Sequence, residues 1–181
     1  MQHRPKQRQP LYNTEQRRRR DASGWTIVQG VLAPVQFLVF LVSVFLVLRF
    51  LYAGMGETAA TTSIVVKTLV LYLIMITGAI WEKVVFGRYL FAEAFYWEDV
   101  FSMLVLALHT TYLIALMTDT FGVSGRMYLA LAAYLTYMIN ATQFLLKLRA
   151  ARLDQAARDG STRLKHDMVD QGRGVTAAVA E

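Results

Sequence analysis

The sequence contains no cysteine. This absence excludes disulfides, thiolate nucleophiles and metal sites built on sulfur, so the fold must be stabilised by packing alone. Charged residues are also scarce: they make up 18% of the 181 residues, whereas hydrophobic residues make up 55%. The chain is therefore more apolar and less charged than a typical soluble domain, which indicates a membrane protein.

Positive charge is concentrated at the two ends of the chain. Fourteen of the nineteen Lys and Arg residues lie before Trp25 or after Leu146, outside the apolar body. A net charge of +6 would suit nucleic acid, but basic segments that flank apolar runs are typical of contacts with anionic lipid. We therefore predict membrane lipid as a partner and no nucleic acid.

Four apolar stretches are long enough to cross a bilayer, whose hydrocarbon core of roughly 30 Å requires about 20 residues per helix. The first and second stretches, and the third and fourth, are joined by short segments rich in turn residues, so neighbouring helices should be antiparallel. The sequence thus predicts an all-α fold, an integral membrane four-helix up-down bundle. The predicted spans are Trp25 to Tyr52, Ala59 to Phe86, Trp97 to Thr118 and Arg126 to Leu148.

Basic residues also predict the orientation of this bundle. Cytoplasmic loops are enriched in Lys and Arg, and here residues 17–20, Lys83, Arg88 and the basic run after the fourth span fall on one side. We therefore predict that both termini are cytoplasmic. The predicted segments are a basic N-terminal segment (1–24), a four-transmembrane-helix domain (25–153) and a polar, disordered C-terminal tail (154–181).

Two ionisable residues, Lys67 and His109, lie deep within the predicted spans. At about 1.5 Å per residue, each is roughly 12 to 14 Å from the outer end of its helix. An ionisable side chain at mid-bilayer costs at least about 2.5 to 3.5 kcal/mol, so each requires a reason. Either the two residues face each other across an interior site, or Lys67 snorkels outward while His109 makes an interhelical hydrogen bond.

A polar stripe runs along the third span at helical spacing. Glu98, Ser102, Val105, His109 and Tyr112 recur at spacings of three or four residues, so one face carries a carboxylate, a hydroxyl, an imidazole and a phenol. Polar residues on every helix predict an enclosed cavity, although amides of this kind also simply join transmembrane helices. The other spans contribute Gln29, Gln36, Tyr137, Asn140 and Gln143.

Acidic residues cluster where the second and third spans meet the cytoplasm. Glu82 closes one helix, while Glu98 and Asp99 open the next. Acids at a helix start complement its dipole, but this does not explain why three acids converge beneath a predicted cavity. Because burial and mutual repulsion favour the protonated form of one carboxyl group, we predict a proton donor that works near neutral pH. The surrounding aromatic residues, which also fit an ordinary interfacial belt, are Trp81, Tyr89, Tyr96 and Trp97.

Long runs of the sequence also carry a family resemblance. They are "RRRRDASGWTIVQGVLAPVQFLVFLVS" (17–43), "TGAIWEKVVFGRYLF" (77–91), "FYWEDVFSMLVLALHTTYL" (95–113) and "INATQFLLKLRAARL" (139–153). These runs resemble the 2-vinyl bacteriochlorophyllide hydratases. The resemblance implies a hydro-lyase that adds water to the ring A vinyl group of a chlorophyllide or bacteriochlorophyllide, giving a 1-hydroxyethyl group in bacteriochlorophyll biosynthesis.

The resemblance further implies a location and partners. The membrane would be a bacterial inner membrane, either cytoplasmic or intracytoplasmic and photosynthetic, crossed several times by the chain. The substrate would be a magnesium tetrapyrrole and the second reactant water, so no cofactor and no metal of the protein's own is expected. A homo-oligomer and an association with other pigment-biosynthesis enzymes both stay open.

Vinyl hydration assigns roles to the candidate residues. Protonation of the terminal carbon leaves a cation that the conjugated ring delocalises, and water then adds at the inner carbon. We predict Glu98 or Glu82 as the general acid and Asp99 as its ionised partner. His109 is expected to ligate the substrate's magnesium or to bind a macrocycle carbonyl. The other predicted substrate contacts are Lys83 or Arg88, which would pair with the propionate, and Lys67, Trp81, Tyr96, Trp97 and Asn140.

Two other function classes fit part of the pattern. A small proton-coupled transporter would use acids inside a four-helix bundle, although here the acids cluster at one face and not at the midplane. A non-catalytic pigment-binding membrane subunit would use His109 as a ligand and no acid at all. Conversion of a vinyl pigment distinguishes the hydratase from both.

Overall fold

The computed structural model of the chain describes residues 11–178. Within this range the regular secondary structure is helical, and four of the helices are long and apolar enough to cross a membrane, the last over Gly122–Ala157. The predicted all-α fold with four apolar spans is confirmed. The helices are α1 (Thr14–Ala22), α2 (Gly24–Ala53), α3 (Glu57–Phe86), α4 (Tyr96–Met117) and α5 (Gly122–Ala178).

Helix α1 lies within the predicted basic N-terminal segment, for which the sequence predicted no helix. It begins with a capping box, in which the side chain of Asn13 accepts the Gln16 N–H at 2.8 Å and the side chain of Gln16 accepts the Asn13 N–H at 2.9 Å. Ser23 then separates α1 from α2 and caps α2 through the Trp25 N–H. Residues 1–10 of the predicted N-terminal segment lie outside the described residues.

The chain divides into two units. The larger one, Tyr12–Gln143, holds the core and all the candidate site residues, and it is described below. The other unit includes the remainder of α5 from Phe144. There α5 continues as far as Ala178, whereas composition predicted a disordered tail for residues 154–181; residues 179–181 lie outside the described part of the chain.

Each span of the larger unit buries a narrow stripe and exposes the rest of its apolar surface. In α2 the buried side chains are Gln36, Phe40, Ser43 and Val47, spaced at three and four residues, while large aliphatic residues elsewhere on the helix are exposed. Exposed aliphatic surface of this extent is the expected exterior of a helix that contacts lipid. The buried stripes pack together into one core.

Polar contacts join the spans at several levels. The Gln29 amide donates to the Thr77 hydroxyl at 2.7 Å, linking α2 to α3. Farther along, the Ser43 hydroxyl is hydrogen-bonded to Ser63 of α3 at 2.7 Å and to Tyr134 of α5 at 2.5 Å. In an apolar solvent such bonds contribute about 0.6 kcal/mol each on average, so they fix the register of the helices more than they stabilise the fold.

Candidate functional site

Two of the predicted acids form a buried carboxyl pair, Glu82 and Asp99. Glu82 lies in the last turns of α3 and Asp99 in the first turn of α4, and they are 5% and 3% exposed. Their side chains are hydrogen-bonded to each other. Asp99 also accepts the Phe91 N–H at 2.7 Å, and Glu82 accepts the Ala92 N–H at 3.4 Å. The loop between α3 and α4 therefore donates two consecutive N–H groups to the pair.

The backbone of that loop is held in an unusual conformation. Phe91 has a φ of +57°, in the left-handed region that a bulky aromatic residue rarely adopts. A residue in such a conformation persists only where the surrounding structure holds it, and such residues cluster at functional sites. Here the strained residue is the one whose N–H binds Asp99.

The third predicted acid, Glu98, is also buried, at 8% exposed. It lies beside Asp99 in sequence, but the hydrogen bond between carboxyl groups is formed by Asp99 with Glu82. Glu93, in the loop itself, is exposed. The structure thus brings the three predicted acids to one end of the bundle and distinguishes Glu82 as the partner of Asp99.

An aromatic cluster of Tyr12, Trp81, Phe86 and Phe95 lies at the same end of the bundle as the carboxyl pair. Tyr12 stacks on Phe86 with ring centroids 5.7 Å apart, and Trp81 meets Phe95 edge to face at 5.8 Å. The guanidinium of Arg20 lies 4.8 Å from the centre of the Tyr12 ring. Burial, the largest influence, raises the pKa of the Tyr12 phenol, which lies outside the spans. The residues before α1 thereby help to hold the loop that carries Phe95.

Four other predicted contact residues lie at the surface of this end of the bundle. Trp97 is 68% exposed and Tyr96 is 48% exposed. Lys83 and Arg88 are exposed as well, and the Lys83 ammonium donates to the carbonyl of Gly87 at 3.0 Å. The structure does not bring these four side chains into the interior with the carboxyl pair, whereas Trp81 joins the aromatic cluster.

One turn deeper than Asp99, α4 and α5 are joined by a polar contact. The Asn140 amide donates to the Ser102 hydroxyl at 2.8 Å, and both side chains are buried. The other amide atom of Asn140, Oδ1, is buried and has no hydrogen-bond partner among the described residues. Asn140 therefore presents a free acceptor toward the interior.

Lys67 and His109 lie at one level, as predicted, and contact the same aromatic ring. The Lys67 ammonium is 5.6 Å from the centre of the Tyr134 ring, and the His109 ring is 5.8 Å from it. Lys67 is also 4.0 Å from the centre of the Tyr137 ring. Because Lys67 is 0% exposed, it does not snorkel, so of the two alternatives the structure shows the interior one.

The imidazole of His109 has a defined hydrogen-bonding state. Its Nδ1 lies 2.8 Å from the carbonyl oxygen of Val105, which can only accept, so Nδ1 carries the proton. Nε2 is buried and has no partner within the described part of the chain, so a second proton there would be unpaired; the neutral ring, with a free lone pair on Nε2, fits this environment. A buried neutral imidazole held in this way by a carbonyl has the arrangement typical of metal-ligating histidines.

Gln36 is a buried polar residue that the predicted contact list did not include. It is 1% exposed, and neither Nε2 nor Oε1 has a partner among residues 11–178. The sequence did contain the signal, since Gln36 is spaced four residues from Phe40 on the buried stripe of α2. Gln36, Lys67 and His109 are three buried polar residues with unpartnered atoms, and they lie on α2, α3 and α4.

The family profile and the similar proteins that match this chain all point to the same family. The profile of the 2-vinyl bacteriochlorophyllide hydratases matches residues 12–150. A 2-vinyl bacteriochlorophyllide hydratase from Rhodobacter capsulatus is 63% identical over 155 residues, covering 86% of this chain and 90% of the relative. One from Cereibacter sphaeroides is 65% identical over 148 residues, covering 81% and 91%. No solved structure matches the chain.

Proposed function

Because the chain belongs to the 2-vinyl bacteriochlorophyllide hydratase family, we infer that its carboxyl pair supplies the proton for vinyl hydration. The protein is a hydro-lyase of bacteriochlorophyll biosynthesis, and its substrate is a magnesium tetrapyrrole that carries a vinyl group on ring A. The observation that carries the mechanism is the hydrogen bond between two buried carboxyl groups, Glu82 and Asp99. Such a bond requires a proton on one of them.

The two carboxyl groups have different surroundings, which assigns their roles. Asp99 has the shorter backbone hydrogen bond, 2.7 Å against 3.4 Å for Glu82, so its negative charge is the better stabilised. Glu82 is therefore the protonated member and donates to the terminal vinyl carbon, while ionised Asp99 stabilises the cation that forms beside the ring. Glu98 is the alternative acid at the same helix end.

The reacting water is held one turn deeper. Asn140 Oδ1 is a buried acceptor without a partner among the described residues, and the same amide is held by its N–H bond to the Ser102 hydroxyl. A water bound there adds at the inner vinyl carbon and returns a proton to the carboxyl pair. The donor is thereby regenerated without any cofactor, because water is the only second reactant.

His109 ligates the magnesium of the substrate in this proposal. Its free Nε2 is the lone pair required, and the Nδ1 bond to Val105 fixes the tautomer. Side chains on a helix point back toward its start, so the imidazole leans from His109 toward the level of the carboxyl pair. A macrocycle held by magnesium at His109 can then extend its ring A toward Glu82.

The propionate of the substrate pairs with Lys83 or Arg88 at the membrane edge, where both side chains are exposed. Tyr96 and Trp97, exposed at the same end of the bundle, and Trp81 of the aromatic cluster would contact the substrate there. Single replacement of Lys83 or Arg88 by methionine is expected to weaken pigment binding. If neither change affects binding, the propionate is bound elsewhere.

The same proposal gives the protein an up-down topology with both termini in the cytoplasm of a phototrophic bacterium's inner membrane. Since the chain lacks cysteine, a single introduced cysteine can be labelled from one side of the membrane without background labelling of the protein. Cysteine at Glu93, in the loop between α3 and α4, should react with an impermeant maleimide only when the cytoplasmic face is accessible. Cysteine at Met55, in the turn between α2 and α3, should react only from the opposite face. The reverse pattern would contradict the topology.

Turnover is tested directly by incubating membranes that contain the protein with the 3-vinyl pigment. The expected product absorbs to the blue of the substrate and is heavier by one water molecule. Membranes containing a Glu82→Gln and Asp99→Asn double variant serve as the control. Pigment bound by folded parent protein without conversion would favour a non-catalytic pigment-binding subunit.

A further inference from the structure

We propose that Tyr12 and Thr26 are positioning residues for the carboxyl pair: they brace the loop between α3 and α4 in the strained conformation that directs its N–H groups at the pair. This inference rests on the proposed function, because it concerns the same two carboxyl groups. It assigns a role to helix α1 and to the residue before it, which the mechanism above does not use.

The loop is not held by the side chain of its strained residue. Phe91 has a φ of +57° but is 38% exposed, and its ring meets that of Tyr96, itself an exposed residue, at 5.7 Å. A bulky residue stays in the left-handed region only where its surroundings impose that conformation. The buried residues of the loop, Ala92 and Phe95, are therefore the ones that hold it.

Phe95 is hydrogen-bonded on both sides of the carboxyl pair. Its N–H donates to the carbonyl of Ala92 at 2.8 Å, and its own carbonyl accepts the N–H of Asp99 at 3.0 Å. The Ala92 N–H is in turn the group that donates to Glu82. A displacement of Phe95 would therefore disturb the surroundings of both carboxyl groups.

The ring of Phe95 packs among three aromatic rings, and one of them comes from outside the spans. Trp81 and Phe86, both on α3, lie 5.8 Å from it, and Tyr12 lies 6.4 Å from it. Tyr12 is buried and also stacks on Phe86. Aromatic pairs at these separations stabilise one another beyond the area that they bury. Removal of the Tyr12 ring would thus loosen the packing around Phe95 without changing α3 or α4.

Helix α1 fixes the position of Tyr12 by contacts at its end. None of its nine residues is buried, and a helix of this length is marginal in isolation. Arg20, in its last turn, places its guanidinium over the Tyr12 ring. The Thr26 hydroxyl donates to the Arg20 carbonyl at 2.6 Å and accepts the indole N–H of Trp81 at 3.0 Å. Thr26 thereby connects the end of α1 to the residue that precedes Glu82.

Loss of this brace would remove hydrogen-bond donors from the pair and leave its carboxyl groups in place. Without the brace, Phe91 is free to relax to an ordinary backbone conformation, in which its N–H no longer points at Asp99. The ionised carboxylate then loses a charge-assisted hydrogen bond. Because this bond acts on the reacting charges and not on the bound pigment, the effect is expected in kcat and not in KM.

Two pairs of variants measure the effect on turnover. Tyr12→Ala is expected to lower kcat about tenfold to a hundredfold, as for one lost hydrogen bond to a charged group, with KM within a few-fold of the parent. Tyr12→Phe keeps the ring and should remain within a few-fold of the parental kcat. Thr26→Val should resemble Tyr12→Ala, whereas Thr26→Ser keeps the hydroxyl and should resemble Tyr12→Phe. All rates are expressed per mole of folded protein. A change confined to KM would overturn the proposal.

Relief of the loop strain provides the matched comparison. Glycine adopts a positive φ without strain, so Phe91→Gly added to Tyr12→Ala should bring kcat to within a few-fold of Phe91→Gly alone. The control is Phe121→Gly, because Phe121 also has a positive φ, +64°, and is exposed, but lies in the loop between α4 and α5. This control should restore nothing. Restoration by both glycines would indicate general stabilisation, and restoration by neither would show that loop strain is not involved; either result would overturn the proposal.

Hydrogen exchange tests the brace without any turnover. In Tyr12→Ala, amides in residues 87–95 are expected to exchange about tenfold faster than in the parent, while those in residues 118–121 keep the parental rate. An unchanged rate in residues 87–95 would overturn the proposal. If Glu82 and Asp99 prove not to be the acid and its partner, the exchange result would stand and only the effect on kcat would be lost.

Discussion

Replacing Glu82 by glutamine removes the proposed proton and little else. The amide has the size of the carboxyl group and can donate an N–H to Asp99, so the hydrogen bond across the pair is preserved. General acids typically contribute about 10²- to 10⁴-fold to the rate, which corresponds to roughly 3 to 5 kcal/mol of activation free energy. We therefore expect kcat for vinyl hydration to fall at least about a hundredfold.

The substrate affinity of this variant should change little, because proton transfer takes place only in the transition state. The assay is a single-turnover measurement of the hydrated pigment by absorption and mass, together with a separate binding titration. Glu93→Gln is the matched control, since Glu93 lies in the same part of the chain but is exposed, and it should retain full activity. If Glu82→Gln keeps turnover within a few-fold of the parent, Glu82 is not the acid, and Glu98→Gln becomes the decisive variant.

Three further changes test other parts of the site. His109→Ala should alter the absorption bands of bound pigment through loss of the axial ligand, and unchanged bands would exclude ligation by its imidazole. Asn140→Ala should lower kcat and also reduce stability by about 1 to 3 kcal/mol, because the buried Ser102 hydroxyl loses its partner; calorimetry in detergent separates the two effects. Burial keeps Tyr12 protonated in the folded protein above pH 10, where unfolded chains lose that proton, so stability should fall as pH rises beyond about 10. Tyr12→Phe should reduce that fall in thermal unfolding experiments, and an unchanged pH profile would contradict the burial argument.

The sequence was sufficient for the number and type of the long helices because 20-residue apolar runs leave few alternatives in a chain this poor in charge. The buried stripe of α4 also followed from spacing, as Glu98, Ser102, His109 and Tyr112 are all buried. In both cases a periodic pattern determines the outcome. Contacts between helices were harder to predict from the sequence, since they depend on how each helix is rotated about its axis and on its register with its neighbours.

The missed features share a physical cause. Helix α1 consists mostly of charged residues and is defined by its capping box and its packing beside Tyr12, neither of which periodicity reveals. The pairing of Asp99 with Glu82 and not with its neighbour Glu98 depends on the path of a loop whose Phe91 has a positive φ. A single sequence gives little indication of such a residue, because most left-handed positions are occupied by glycine or asparagine.

One consequence of the His109 geometry concerns how a rigid pigment enters a packed bundle. The hydrogen bond that fixes the tautomer of the imidazole is accepted by a carbonyl of its own helix, four residues away. In the proposed binding mode, a separation of adjacent helices that admits the ring would leave this hydrogen bond in place. The pigment could then enter and leave by rigid-body separation of helices, while the hydrogen bond within α4 keeps the tautomer of His109.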